Sequence, residues 1–276
     1  MTDAAIQIDP LSPMIGAEIS GVDISKPLTE STVAEIHDAL MTHQVIFFHV
    51  QDMTLDAHKT FARRFGELHI HPSAKTLDGH PDVIIIHADE NSQAVAGMKW
   101  HSDVSCDAEP PMGSVLHLHT IPPVGGDTLF ASTYAAYEAL SDPIKATIDG
   151  LQAWHESARV HRDRFGAKGQ MRDGVDVYPE SLHPVVRTHP VTGRKGLFVN
   201  ENFTSRIDGM TPAESDAILR LLYEQIATPE FQCRFRWRPG SVAFWDNRCA
   251  QHRSVWDYYP ALRHGYRVTI AGERVV

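Results

Sequence analysis

Trp100-His101-Ser102-Asp103 sets an imidazole and a carboxylate two residues apart. In an extended strand, positions i and i+2 share a face, so His101 and Asp103 can reach one metal ion while Ser102 turns away. A metal held by one His and one carboxylate needs a further protein ligand. If that ligand is a second His and the other positions stay open, the set is the facial triad of non-haem Fe(II) oxygenases. A zinc site and two unconnected surface residues compete with that reading, and the dipeptide spacing does not separate the three.

Composition narrows the setting. At 276 residues, 42% hydrophobic and 22% charged, the chain reads as one domain over 1–276, of the size of a large β sandwich or barrel. With 25 basic and 35 acidic side chains, its net charge of −10 argues against nucleic acid or an anionic membrane as partner. A local pair of arginines can still invert the field inside a pocket. Met1-Thr2-Asp3-Ala4-Ala5 has neither the basic nor the apolar region of a signal peptide. No apolar run nears the ~20 residues of a membrane-spanning helix. Cys106, Cys233 and Cys249 are odd in number and scattered, which fits a reducing compartment. The expected location is the cytoplasm, and a homo-oligomer is compatible with these features.

Along the chain, many short strands alternate with a few helices. Gln44-Val45-Ile46-Phe47-Phe48 and Val83-Ile84-Ile85-Ile86 are apolar runs rich in β formers and read as buried strands. Ser31 to Thr42 has the spacing of a helix, Thr54 reads as an N-cap, and Thr211-Pro212-Ala213-Glu214 opens a helix with a capping box and Pro at N1. Residues 88–99 are small or polar without periodicity, a loop that delivers the chain to His101 and a candidate active-site lid. Residues 157–181 are charged, with Arg159, Arg162, Asp163, Arg164, Lys168 and Arg172, and read as a mobile insertion. Strands with interrupting helices, and pocket residues far apart in sequence, point to an antiparallel jelly-roll barrel with helices outside.

The third ligand comes from the C-terminal region. In Trp245-Asp246-Asn247-Arg248-Cys249-Ala250-Gln251-His252, His252 follows a strand and a polar turn. Arg263 lies eleven residues on and Arg267 four beyond it, a spacing that returns to one strand face. Two arginines facing inward need anionic partners, which a dicarboxylate cosubstrate and an anionic substrate supply as well as protein carboxylates do.

Together with Gly125-Gly126-Asp127-Thr128, Phe65-Gly66-Glu67-Leu68-His69-Ile70-His71-Pro72 and His183-Pro184-Val185-Val186-Arg187-Thr188-His189-Pro190, these motifs resemble the taurine dioxygenase family, Fe(II)/2-oxoglutarate-dependent oxygenases that include phenoxyalkanoate and alkylsulfate dioxygenases. The resemblance runs from about Gly16 to Gly272. It implies a double-stranded β-helix (jelly roll, cupin-like), mainly β with flanking helices. It implies iron bound by His101, Asp103 and His252, and the distal carboxylate of 2-oxoglutarate held by Thr128 and Arg263. Arg267 and His71, helped by the backbone at Val104, match positions that bind a substrate sulfonate, and Phe203 matches an aromatic pocket wall. The implied reaction consumes O2 and 2-oxoglutarate, hydroxylates a small anionic organic substrate (a sulfonate, sulfate ester, or aryloxy or alkyl carboxylate), and releases succinate and CO2.

Three positions depart from the taurine pattern. Ala74 stands at a tyrosine position, Gly97 at an asparagine position and Ser157 at a phenylalanine position, so a roomier pocket is expected and taurine is a doubtful substrate. A zinc-dependent hydrolase could use the same triad, but it has no use for Arg263 and Thr128 as a clamp. A non-catalytic cupin-like binding protein needs no open iron positions. His117-x-His119 is an alternative metal pair with no third ligand of matching context, better read as barrel wall.

Overall fold

The structure, a computed structural model, describes residues 6–72, 74, 76–158 and 178–275. Strands β1 (Gln7–Pro10) and β2 (Ala17–Ser20) lead to helix α1 (Glu30–His43), β3 (Val45–Phe48), helix α2 (Leu55–Arg63), β4 (Thr76–Leu77) and β5 (His80–Ala88). After the loop carrying His101 come β6 (Gly113–Thr120), β7 (Thr128–Ser132), helices α3 (Thr133–Glu138) and α4 (Asp142–Ile148), and β8 (Gln152–Glu156). The remainder holds β9 (Glu180–Pro184), β10 (Val186–Thr188), β11 (Lys195–Leu197), β12 (Thr204–Ile207), α5 (Pro212–Ile226), β13 (Gln232–Phe235), β14 (Ser241–Asp246), β15 (Ala250–Ser254) and β16 (Arg263–Ile270).

The major sheet has eight strands in the order β1-β2-β3-β14-β6-β16-β5-β4, antiparallel except for β2 beside β3. A second sheet, β13-β7-β15, packs against it, and β12-β8-β9 and β10-β11 extend the C-terminal half. This is the jelly-roll architecture.

Apolar alternation builds two cores from the same strands. Val45, Phe47, Leu116, Leu118, Ala243 and Trp245 point between the sheets and meet Phe130, Phe235 and Trp237. Ile46, Phe48, Val115, Val242 and Phe244 point the other way, onto α1 and α2 through Ile36, Leu40 and Phe61. A strand covered on both faces reads as a continuous apolar run, which is why 45–48 carries no polar residue. Phe47 stacks on Phe235 with ring centres 3.9 Å apart. The α5 start has the expected capping box: the Thr211 side chain accepts from the Glu214 N–H, and the Glu214 carboxylate accepts from the Thr211 N–H at 3.0 Å.

Two local expectations change, and a third lies largely outside the described residues. Residues 101–103 are not a strand: His101 forms a single bridge to His252, and Asp103 opens a turn. The loop expected at 88–99 begins one residue later, because Ala88 closes β5. The insertion expected at 157–181 is bounded by β8 and by β9, which starts at Glu180; its arginines Arg159, Arg162, Arg164 and Arg172 lie outside the described residues. Among the described residues no helix is long and apolar enough to cross a membrane.

Two core histidines make stability pH-dependent. His58 donates from Nε2 to the Val115 carbonyl at 3.0 Å, and His155 Nδ1 lies 2.9 Å from Ser105 Oγ. Burial pushes both pKa values down to about 3. An unfolded chain, with histidines near pKa ~6.5, binds protons that the folded chain refuses. Stability is therefore fully present above about pH 6.5 and is lost as pH falls from there towards 3. The thermal midpoint should decline from about pH 7 to pH 4, less steeply in His58→Gln; identical slopes in the two proteins would contradict this account.

Candidate active site

The His101–His252 bridge brings the first two candidate ligands together. Each residue donates its N–H to the other's carbonyl, at 3.1 and 2.9 Å, and the rings lie 4.2 Å apart. This non-local bridge does what a strand spacing alone could not. His101 donates Nδ1–H to the Lys99 carbonyl at 2.8 Å, so in the neutral ring the lone pair is on Nε2. The Trp245 indole packs 4.6 Å from the His252 ring, and Phe130, itself in contact with Trp245, stacks against His252 at 6.0 Å. Burial is the largest cause holding the His252 pKa well below its usual value, so that ring is neutral too.

Asp103 completes the group. Its Oδ1 lies 3.9 Å from the Nε2 of both His101 and His252, and one ligand atom from each of the three lies within 4.8 Å of the others. Ser114 donates to Oδ2 at 2.8 Å, and the Arg267 guanidinium donates to Oδ1 at 2.6 Å. Asn247 braces both neighbours: its Oδ1 accepts the Asp103 N–H at 3.1 Å and its Nδ2 donates to Ser114 Oγ at 3.3 Å. Burial alone would raise the Asp103 pKa, but the charge of Arg267, with the nearby His252 and His101 and the Ser114 hydrogen bond, holds the carboxyl well below the usual carboxylate range. Two neutral imidazole nitrogens and an ionised carboxylate oxygen are a donor set that fits Fe(II).

A single cavity, open to solvent, is lined by this group together with Thr128, Arg263, His71, Ala74, Val104, Phe203 and Arg267. Arg263 is buried, donates Nε–H to the Gly126 carbonyl at 3.2 Å and Nη2–H to Thr128 Oγ1 at 3.5 Å, and lies over the Trp237 ring. It forms no ion pair among the described residues. Burial lowers its pKa. Gly265, between the two arginines on β16, is needed for close approach: a Cβ there would collide with the His117 carbonyl and the Leu118 backbone.

Arg267 also carries a buried Nε with no hydrogen-bond partner among the described residues. His71 Nδ1 accepts the Ala74 N–H at 2.9 Å, so the neutral ring has its proton on Nε2. Val104 has φ +47, which costs a β-branched residue on the order of 1–3 kcal/mol. The Asp107 N–H holds that turn by donating to the Val104 carbonyl at 3.0 Å. Of the three departures, Ala74 lines the cavity, but Ser157 is fully buried and is not among its lining residues. Gly97 lines it with φ +77, and a Cβ there would sit 3.0 Å from His101 Cε1. Gly97 therefore makes room for the imidazole as much as for a substrate.

Sequence reasoning missed Ser114, Asn247 as a brace, and Asn202 on the cavity wall. Only Asn247 had a signal, inside the motif that begins at Trp245. His117-x-His119 faces outward, with His117 against His58 and His119 beside Tyr266. A second buried group, His189, Asp246 and Cys249, also brings ligand atoms within 4.8 Å. Its atoms are already engaged: His189 Nδ1 accepts the N–H groups of Val191 and Thr192, its Nε2 faces Asp246 at 3.0 Å, and Asp246 holds Arg248 through both oxygens.

The family model described as taurine catabolism dioxygenase TauD, TfdA family matches residues 7–269. The chain belongs to this family. A Pseudomonas putida alpha-ketoglutarate-dependent sulfate ester dioxygenase is 37% identical over 279 residues, covering 97% of this chain and 90% of that protein. The crystal structure of a taurine dioxygenase from Burkholderia xenovorans matches with a TM-score of 0.84 and 40% identity, over 99% of this chain and 93% of that one. The structure of AAD-2 in complex with Mn(II) and N-oxalylglycine matches with a TM-score of 0.82 and 30% identity, over 99% of this chain and 100% of that one. As a TauD/TfdA-family protein the chain uses Fe(II), 2-oxoglutarate and O2.

The shell around the triad has measurable consequences. Ser114→Ala frees Asp103 Oδ2, and Gly97→Ala presses a methyl on His101. Each should weaken anaerobic Fe(II) binding by about 10- to 100-fold; an affinity unchanged in both variants would mean that neither contact positions the ligands.

Proposed function

We propose that His101, Asp103 and His252 hold Fe(II), that Thr128 and Arg263 hold the distal carboxylate of 2-oxoglutarate, and that Arg267, His71 and the backbone at Val104 grip an anionic substrate beside the Phe203 wall. The chain is an Fe(II)- and 2-oxoglutarate-dependent dioxygenase that hydroxylates a small anionic organic molecule with release of succinate and CO2. The observation that carries the residue assignment is the buried Arg263, a guanidinium without a carboxylate partner among the described residues, opening on the same cavity as a two-His, one-carboxylate set. A zinc hydrolase would leave that charge uncompensated.

When bound, iron with 2-oxoglutarate and O2 supplies the oxidation: one oxygen atom goes into succinate and the other into a substrate C–H bond. The chain's residues bind, orient and exclude water. Arg263 anchors the cosubstrate by charge, with Thr128 adding a hydrogen bond. His71 presents Nε2–H, and Arg267 presents Nε–H while its Nη1 stays on Asp103. Trp245 and Leu116 line the same cavity. Hydroxylation at the carbon that bears a sulfate ester oxygen gives a hemiacetal-type product, which expels hydrogen sulfate and leaves an aldehyde.

The wall also bears on substrate choice. Ala74, Ile84, Ile86, Ala96 and Phe203 are apolar, and Asp103 is the one carboxylate among the described lining residues. The one anionic acceptor an ammonium would find there is the carboxylate assigned to iron. The reading is therefore a monoanionic sulfate ester, sulfonate or carboxylate with an uncharged organic body, and not taurine. Partners are that substrate and no nucleic acid or membrane; a cytoplasmic location and a homo-oligomer remain part of the proposal.

Anaerobic addition of Fe(II) and then 2-oxoglutarate should produce the weak visible charge-transfer band of the chelate. His101→Ala should abolish it, and Arg263→Ala should require at least about tenfold more 2-oxoglutarate to reach it. Tight zinc binding with no band would defeat the assignment. Taurine stimulating succinate release more than alkyl sulfates would defeat the substrate class.

A further inference from the structure

Asn202 sits on the cavity wall and is almost wholly withdrawn from solvent, at 6% relative exposure. The segment after β11 places it there. Asn200 Oδ1 accepts the N–H groups of Asn202 at 3.2 Å and Phe203 at 2.9 Å, while Asn200 Nδ2 donates to Ser105 Oγ at 2.9 Å. That turn fixes the backbone at 202–203, and the cavity receives one apolar and one amide side chain side by side. The Asn202 amide has no hydrogen-bond partner among the described residues.

The other polar side chains of the wall are already accounted for by the metal set, the cosubstrate clamp and the anion grip, and Ser254 donates to the Ala96 carbonyl at 2.8 Å. An amide on a cavity wall whose donor and acceptor are taken up by no protein group has only water to pair with, and covering it with a ligand that cannot pair with it is costly. It adds no charge, so it does not extend the anion grip of Arg267. It cannot pair with an alkyl chain, and it can pair with a hydroxyl, an ether oxygen or an amide.

We propose that Asn202 is a specificity residue that hydrogen-bonds an uncharged oxygen-bearing group on the organic body of the substrate, so that the preferred substrate is an oxygenated rather than a plain alkyl anion. The inference rests on the proposed function. A plain alkyl chain strands the amide, whereas a chain of equal length carrying a hydroxyl or ether satisfies it. The site thus discriminates through the unpaired polar group that the wrong ligand leaves behind.

The test uses the full chain with Fe(II) and 2-oxoglutarate under anaerobic conditions, reading ligand binding as the perturbation of the charge-transfer band. Hexyl sulfate is compared with 2-propoxyethyl sulfate and 5-hydroxypentyl sulfate, which have similar lengths. At least one oxygenated ligand should bind wild type about 10- to 100-fold more tightly than hexyl sulfate. Asn202→Leu should bring that ratio to within about twofold of unity or invert it, and Asn202→Gln should restore part of it. The band itself, which does not depend on residue 202, reports that each variant is folded. No preference in wild type, including no binding of any of the three, overturns the proposal, as does an equal ratio in wild type and Asn202→Leu. Absence of the band in wild type overturns the iron assignment instead, which keeps the two failures apart.

Discussion

The Asp103 carboxylate is the constraint to which the rest of the centre answers. It is nearly sealed from solvent, and a buried carboxylate is tolerated only when its charge and lone pairs are met. Arg267 meets the charge at Oδ1, Ser114 meets Oδ2, and Asn247 fixes the backbone on which the side chain stands. These partners come from β16, β6 and the turn after β14, so the carboxylate ties together three adjacent regions of the major sheet. Its orientation also follows. With Oδ2 held by Ser114, Oδ1 is the oxygen that faces both imidazoles.

His252 depends on a second buried network. Asp246 and Arg248 form a bidentate pair at the end of β14, braced by His189 and, through Arg187 and Glu273, by the C-terminal segment. Burial would raise the Asp246 pKa, but Arg248 and the His189 hydrogen bond hold it well below the usual range. This network sets the turn between β14 and β15. Four residues past Arg248, His252 emerges on β15, paired with Phe130 of β7 and bridged to His101. The Asp-Asn-Arg motif is therefore structural: Asp246 and Arg248 lock the turn, and Asn247 passes the position on to Asp103.

What was legible in the sequence is what short-range chemistry determines. The doubly covered strand at 45–48, the capping box at Thr211 and the alternation that sends Arg263 and Arg267 to one cavity all follow from local spacing. Motif order supplied His252. The supporting shell was not legible, because Ser114 meets Asp103 only through the pairing of β6 with β14 and β16, and no spacing rule predicts which side chains oppose one another across a sheet. The same limit explains Gly97 and Ser157. Absence of a side chain predicts space, but the fold decides who uses it: His101 takes the room beside Gly97, and Ser157 packs away from the cavity. Asn202 was invisible for a related reason, since nothing local marks an amide whose partners are missing.

Charge bears on the substrate independently of shape. The chain carries a net charge of −10, so at long range it repels anions, and capture must rest on the cavity. In the proposed arrangement Fe(II) brings two positive charges, Arg263 and Arg267 bring one each, and Asp103 removes one, with His252 neutral. The two carboxylates of 2-oxoglutarate remove two more. One positive charge is left over, beside Arg267. A singly charged anion neutralises it; a zwitterion brings no net charge and adds an ammonium to a wall whose only described carboxylate already serves iron and Arg267. In the proposed arrangement, charge balance thus favours a monoanion with an uncharged body.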